Sequence, residues 1–152
     1  MSKTVADVMT SNPIVVQPQT PIKEAIQLLA ERRISGLPVV DGEGKLVGVI
    51  TESDLMWQET GVDPPPYIIL LDSVIYLQNP ARYEKEIHKA LGQTVEEVMS
   101  EKPITVEPDR ALKEAARLMH EKEIRRLPVV DEPGQVIGIL TRGDIVQAMV
   151  TE

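Results

Sequence analysis

The 152-residue chain contains no cysteine, which excludes a disulfide framework and any thiolate metal site. It is short of positive charge: 16 lysines and arginines stand against 24 aspartates and glutamates, leaving a net charge of −8. That is the wrong sign for a protein that neutralises nucleic-acid phosphates with a basic patch, so nucleic acid is not an expected partner. No apolar run reaches the roughly 18 residues that argue for a bilayer span. The opening MSKTVADVM has no apolar stretch of signal-peptide length, so the expectation is a cytoplasmic protein with no membrane partner. Enzymatic signatures are missing as well. There is no Gly-rich phosphate loop, no HExxH pair and no nucleophile elbow, and His88 and His120 fall on polar faces of predicted helices. The sequence predicts no enzyme, no catalytic residue, no catalytic cofactor and no metal.

What the chain does contain is a duplication. Val5–Leu55 lies over Val95–Ile145 without a gap, a period of 90 residues, and 22 of the 51 aligned positions are identical. Ile34–Asp54 reads ISGLPVVDGEGKLVGVITESD and Ile124–Asp144 reads IRRLPVVDEPGQVIGILTRGD. Repeats decide architecture and take precedence over other features. An apolar content of 42% supports a substantial core. Units of about 50 residues bury too little surface to stand alone, so the halves are expected to pack on each other. The expected organisation is a first repeat over 1–60, an insert with helices over 61–93, and a second repeat over 94–152.

Each repeat reads helix, strand, helix, strand, strand, helix. Thr4 with Asp7, and Thr94 with Glu97, predict short opening helices ending near Met9 and Met99. Ile14–Val16 and Ile104–Val106 are brief extended runs between prolines. Thr20–Pro21 predicts a helix start with a capping hydroxyl and proline at the first position, and Asp109 is the expected cap of the matching helix. Ile22, Ala25, Ile26 and Leu29 share a face, as do Leu112, Ala115, Ala116 and Met119, and both faces are assigned to the core. Leu37–Val40 and Leu46–Ile50, with Leu127–Val130 and Val136–Leu140, are strand pairs joined by Asp41–Gly44 and Asp131–Gly134. Gly48 and Gly138 inside the second strands predict close approach of a backbone or a ligand.

The insert opens on Asp63-Pro-Pro-Pro66, a stiff extended connector. Tyr67–Leu77 is almost wholly apolar; it either packs across the repeats of its own chain or forms a subunit or partner contact. Asn79-Pro80 then starts a helix that Gly92 ends.

The candidate chemistry lies at Thr51-Glu-Ser-Asp54 and Thr141-Arg-Gly-Asp144, each between a strand and a helix. One reading is a capping box, with the carboxylate also favoured beside the helix dipole. The other is a ligand site, in which the helix N-terminus faces a phosphate and the carboxylate accepts from the two hydroxyls of a ribose. The two are compatible, because a cap fixes the rotamers a ligand would need. Lys122, Arg125, Arg126 and Arg142 crowd the same stretch, as a solvated face or as local cations for a phosphate.

The ordered motifs Val-x-x-Val-Met, Pro-Ile-x-Val-x-Pro, Leu-Pro-Val-Val-Asp and Gly-x-(Ile/Leu)-Thr-x-x-Asp, each present twice, resemble a tandem of CBS (cystathionine β-synthase) domains over 5–60 and 95–150. The resemblance implies a mixed α/β fold: two β-α-β-β-α units packed through their sheets about a pseudo-twofold axis. It also implies two clefts that bind adenosine-containing ligands such as AMP, ADP, ATP or S-adenosylmethionine. In such a pair Asp54 and Asp144 hold ribose, and Thr51 and Thr141 lie by the ribose or phosphate. The adenine lies against Ile14–Val15 and Ile104–Thr105. Arg125 and Arg126 resemble phosphate contacts, flanked by Ile124, Leu127, Pro128 and Arg142, with Gly36, Leu37 and Pro38 the matching positions of the first repeat. Ser35-Gly36 replaces the paired arginines there, which implies a weaker first site unless Arg125 or Arg126 serves both clefts. The expected function is a regulatory module that binds an adenine nucleotide, forms a homodimer, and passes occupancy to a regulated protein. The alternative is an adaptor of the same fold whose clefts stay empty.

Overall fold

The structure, a computed structural model, describes residues 3–62, 67–71, 73–76 and 79–151, with the backbone alone at 67–70 and 76. The first repeat forms α1 (Val5–Val8), β1 (Thr10–Ser11), α2 (Ile22–Arg32), β2 (Gly36–Val40), β3 (Leu46–Thr51) and α3 (Glu52–Thr60). The insert forms β4 (Tyr67–Leu70), β5 (Ser73–Tyr76) and α4 (Pro80–Leu91). The second repeat forms α5 (Val95–Val98), β6 (Ser100–Glu101), α6 (Leu112–Glu121), β7 (Arg126–Val130), β8 (Val136–Thr141) and α7 (Arg142–Met149). The expected strands at 14–16 and 104–106 are reduced to single parallel bridges, Val16 to Val39 and Val106 to Val129.

The repeats exchange their opening segments. β6 completes the sheet β2-β3-β6 of the first repeat, and β1 completes β7-β8-β1 of the second. Val95 and Val98 are buried in the first core with Val16, Leu29, Leu37 and Ile50, while Val5 is buried in the second with Val106, Met119, Leu127 and Leu140. The strand glycines permit this crossing. A Cβ on Gly48 would come within 2.9 Å of the Ser100 carbonyl, and one on Gly138 within 3.0 Å of the Thr10 carbonyl. The close approach expected at these glycines is therefore to the other repeat's backbone. The hairpin turns also meet: Leu46 N–H donates to the Gly134 carbonyl and Val136 N–H to the Gly44 carbonyl, both at 3.2 Å.

Three expectations are corrected. Thr20 does not cap α2, because Pro21 is extended (ψ 138°) and occupies the cap position itself. Ile22 N–H, the first orphan donor, goes instead to the Gln93 carbonyl at 2.8 Å, and the Thr20 hydroxyl accepts from Gln17 N–H. Asp109 likewise does not cap α6; Ala111 stands there and Leu112 N–H donates to the Lys3 carbonyl at 2.9 Å. Backbone distant in sequence, from the end of the insert at Gln93 and from the opposite repeat at Lys3, has replaced a local side chain at the two helix starts. Ile26 is 40% exposed, outside the buried stripe of Ile22, Ala25 and Leu29.

In the insert, β4 and β5 pair antiparallel from Tyr67↔Tyr76 to Leu70↔Ser73, a hairpin that the apolar run did not reveal. The connector at 63–66 and the side chains of Ile68, Ile69 and Leu70 lie outside the described residues. Asn79 caps α4 as expected, accepting from Ala81 N–H at 3.0 Å.

Candidate functional site

Both Thr-x-x-Asp motifs form complete capping boxes. The Thr51 hydroxyl accepts from Asp54 N–H at 3.3 Å while Asp54 Oδ2 accepts from Thr51 N–H at 3.0 Å. The Thr141 hydroxyl accepts from Asp144 N–H at 3.1 Å while Asp144 Oδ2 accepts from Thr141 N–H at 2.9 Å. Each box ends a β-branched strand and starts a helix, placing a threonine, polar first-turn residues and the positive end of a helix dipole at the sheet edge.

At the first of these junctions the repeats enclose a cleft of about 460 Å³. Its walls come from both halves: Thr51, Glu52 and Ser53 from the start of α3, Ile104 from the segment after β6, and Ile124, Arg125, Arg126 and Pro128 around the start of β7. The exchange of opening segments contributes to this pairing, because β6 beside β3 brings the chain of the second repeat onto the first repeat's sheet, and Ile104 just after it lines the same cleft as Thr51. An apolar wall, a hydroxyl-lined helix start and two arginines thus converge, a combination suited to a ligand with a flat apolar part and an anionic part.

Arg126 is the most constrained member. Its side chain reaches across to the first repeat, where Nη2 donates to the Ser35 hydroxyl at 2.6 Å. Nε is buried without a hydrogen-bond partner. Burial pushes the guanidinium below its ordinary pKa and Arg125 adds to this, while Glu52 and Asp54 oppose it. Gly36 makes the space, since a Cβ there would lie 2.9 Å from Arg126 Cδ and Nε. Ser35-Gly36 is therefore the seat of the second repeat's arginine, and this packing is the physical reason for small residues at these positions of the first repeat.

The remaining candidates are dispersed. Leu37 and Leu127 are fully buried core residues, paired with Ile50 and Leu140 in their hairpins, and Pro38 is fully buried beside Leu37. Thr105 opens on a different groove with Arg110 and Arg117, as neighbours in an extended segment face opposite ways. Arg142 lies in a groove between α6 and α7 with Ala116 and His120. Thr141 and Asp144 stand at the start of α7, Ile14 packs at the margin of the first core, and Val15 is exposed. Asp54 is buried, and its carboxylate is held by Lys89 Nζ at 2.6 Å and Ser100 Oγ at 2.8 Å. Glu52 and Ser53 in the cleft were readable from their place inside the motif. Lys89 had no signal, being 35 residues from Asp54 in the insert.

Among the described residues no group of acidic and histidine side chains is arranged to hold a metal, and no helix is long and apolar enough to cross a membrane.

Comparison with known proteins agrees with this geometry. The chain is 35% identical to protein MJ1426 of Methanocaldococcus jannaschii, over 96% of this chain and 90% of that one. It is 39% identical to the chloroplastic CBS domain-containing protein CBSX2 of Arabidopsis thaliana over 95% of its length, but spans only 63% of that protein. The fold matches the crystal structure of CBSX2 in complex with AMP at a TM-score of 0.84 and 39% identity, covering 97% of both chains. It matches the CBS domain pair of MJ0100 in complex with 5′-methylthioadenosine and S-adenosyl-L-methionine at a TM-score of 0.72 and 28% identity, covering 99% and 98%. The family model for the CBS domain fits twice, at residues 5–58 and 95–151. With both motifs, both sheets and the exchanged strands in place, the chain belongs to the CBS domain family as a tandem pair.

Proposed function

We propose that this CBS pair is a regulatory module, and not an enzyme, that binds an adenine nucleotide between its repeats and passes occupancy to a partner protein. The observation that carries the reading is Arg126: a buried guanidinium with an unpartnered Nε, at the edge of a cleft that also offers Ile104 and the start of α3. A buried donor without a partner is costly, and an anionic ligand oxygen would satisfy it. The AMP complex of CBSX2 and the adenosyl complexes of MJ0100 support the ligand class. AMP, ADP and ATP are the preferred candidates, bound as ligands and not as catalytic cofactors.

The proposal includes a homodimer in the cytoplasm. Support for self-association comes from exposed apolar side chains, Leu71 at 92% on the insert hairpin with Val74 and Ile75 beside it, and Val146 and Met149 on α7. A sedimentation experiment at micromolar concentration should give a species of twice the 16.9 kDa chain mass. A fluorescent fusion filling the cytosol evenly would support the compartment.

An adaptor with empty clefts is the second reading, favoured by the closed capping boxes, which give Thr51, Asp54, Thr141 and Asp144 a structural role. Thermal unfolding across AMP, ADP, ATP, S-adenosylmethionine and NAD separates the two. A ligand at a hundred times its Kd stabilises the native state by about 2.7 kcal/mol, and no shift with any of the five would leave the adaptor reading.

A further inference from the structure

The charges that line the Thr51 cleft cancel. Its ionisable lining residues are Glu52 and Glu123 against Arg125 and Arg126. Asp54, a further carboxylate acting on Arg126, is neutralised by Lys89 Nζ at 2.6 Å and stays out of the lining. Glu52, Glu123 and Arg125 are exposed, and among the described residues none of the four lining groups forms an ion pair. Their charges are not locked into contacts with one another and bear on whatever enters. Burial pushes the Arg126 guanidinium below its ordinary pKa and Glu52 opposes this, so these two groups share one field.

Neither glutamate is demanded by the fold. Position 52 corresponds to Arg142 in the duplication and position 123 to Arg33, so each acid stands where the other repeat has a base. The backbone is the same in both copies. Glu52 N–H donates to the Ser35 carbonyl at 3.1 Å, and Arg142 N–H to the Arg125 carbonyl at 3.1 Å. Glu123 and Arg33 both take a left-handed conformation, with φ of 54° and 52°. A charge that reverses on an unchanged backbone is set by what the side chain faces.

The start of α3 offers little to a second phosphate. Of its first three amides, those of Glu52 and Asp54 already donate, to the Ser35 carbonyl and the Thr51 hydroxyl. The Glu52 carboxylate stands in the first turn, where the positive end of the helix dipole would otherwise favour a phosphate. One phosphate can be met by Arg125 and Arg126. Each phosphate beyond it adds a negative charge with no lining cation left to meet it and a carboxylate to repel it.

We infer that Glu52, supported by Glu123, determines the charge specificity of the cleft, so that it takes an adenosine ligand with a single phosphate and discriminates against the diphosphate and triphosphate. The inference rests on the nucleotide reading above and deepens it, choosing AMP among the candidates named there.

The test is calorimetric titration of the full chain with adenosine, AMP, ADP and ATP at low salt, without divalent cations that would mask phosphate charge. Native protein is compared with Glu52→Gln, Glu123→Gln and the double variant. The native chain should bind AMP more tightly than ADP, and ADP more tightly than ATP. Glu52→Gln should tighten ATP about fivefold, the upper range for one exposed charge contact, AMP by a smaller factor and adenosine not at all. The double variant should gain further for ATP, and the gains should shrink as salt is raised. Native affinity for ATP equal to or above that for AMP would overturn the inference while leaving nucleotide binding intact. So would equal gains for adenosine and ATP, which would make Glu52 a steric element, or no gain in any variant. Should the variants fail to fold, the order of the three nucleotides on the native chain decides. Binding of none of the four ligands to the native chain would overturn the nucleotide reading and this inference with it.

Discussion

Asp54 and Asp144 occupy identical positions in two copies of one motif, close identical capping boxes, and differ in what else touches them. The insert helix α4 brings Lys89 to Asp54, and β6 adds Ser100, whereas among the described residues no lysine or arginine forms an ion pair with Asp144. Ser35-Gly36 and Arg125-Arg126 make a second unequal pair, since the small residues of one repeat receive the long side chain of the other. Duplication supplies two equal scaffolds, and a few contacts across their interface and from the insert make them unequal. Sites related by a sequence repeat therefore need their full hydrogen-bond lists before either is given the other's role.

The largest expected effect separates the aspartates by stability. Asp54→Ala removes a cap and leaves Lys89 in a largely enclosed corner without its counter-ion. Removing one member of a buried pair costs about 3 to 5 kcal/mol. The lower end applies here, because Lys89 keeps 21% side-chain exposure. Asp144→Ala should cost only the cap, about 0.5 to 2 kcal/mol. Denaturant unfolding of the two variants measures the difference, and equal losses would show that the Lys89 ion pair contributes nothing.

Next in size are the ligand effects. Asp144→Asn keeps an oxygen for the Thr141 amide, so it should unfold close to the parent. It should nevertheless bind AMP at least about tenfold more weakly, because an amide presents one acceptor and turns a donor toward the second hydroxyl. Unchanged affinity with lowered stability would make Asp144 a cap alone. For Arg126→Ala the expected loss is again about tenfold for AMP, with adenosine little affected and the AMP dependence weakening as salt is raised. Equal losses for the nucleotide and the nucleoside would mean that the guanidinium does not read phosphate.

The smallest effect concerns Asp7, which closes the box on α1. The Thr4 amide, with help from the Thr4 hydroxyl, holds its carboxyl below the usual carboxylate value. A depressed pKa in the folded state means that the stabilisation is present above the unfolded-state pKa and lost as pH falls through the folded value. The stability gap between the native chain and Asp7→Asn should accordingly be constant near neutrality and shrink in acid below about pH 4. A gap that widened in acid would contradict the assignment.

The sequence by itself determined the duplication, the helices and the hairpin strand pair of each repeat, both capping boxes, the hairpin turns and the set of motifs that mark a CBS pair, but not the two-residue strands, which form at Thr10–Ser11 and Ser100–Glu101. The features it determined are legible because they depend on local chemistry and on short, ordered spacings. Even the close approach at Gly48 and Gly138 could be read, although not what approached. Only the tertiary structure decided which repeat each opening segment joins, because β1 and β6 are two-residue strands whose pairing is fixed by burial of Val5, Val95 and Val98 in the opposite cores. That exchange also decided the composition of the cleft, setting Ile104 and Arg126 of one repeat against Thr51 of the other. Helix starts at Ile22 and Leu112 were misread for the same reason: their first donors are satisfied by a backbone some 70 to 110 positions away, which no local pattern encodes. The fate of Asp54 was likewise invisible, since a carboxylate's availability depends on every donor that reaches it in space, and Lys89 reaches it from an insert that the repeat pattern does not describe.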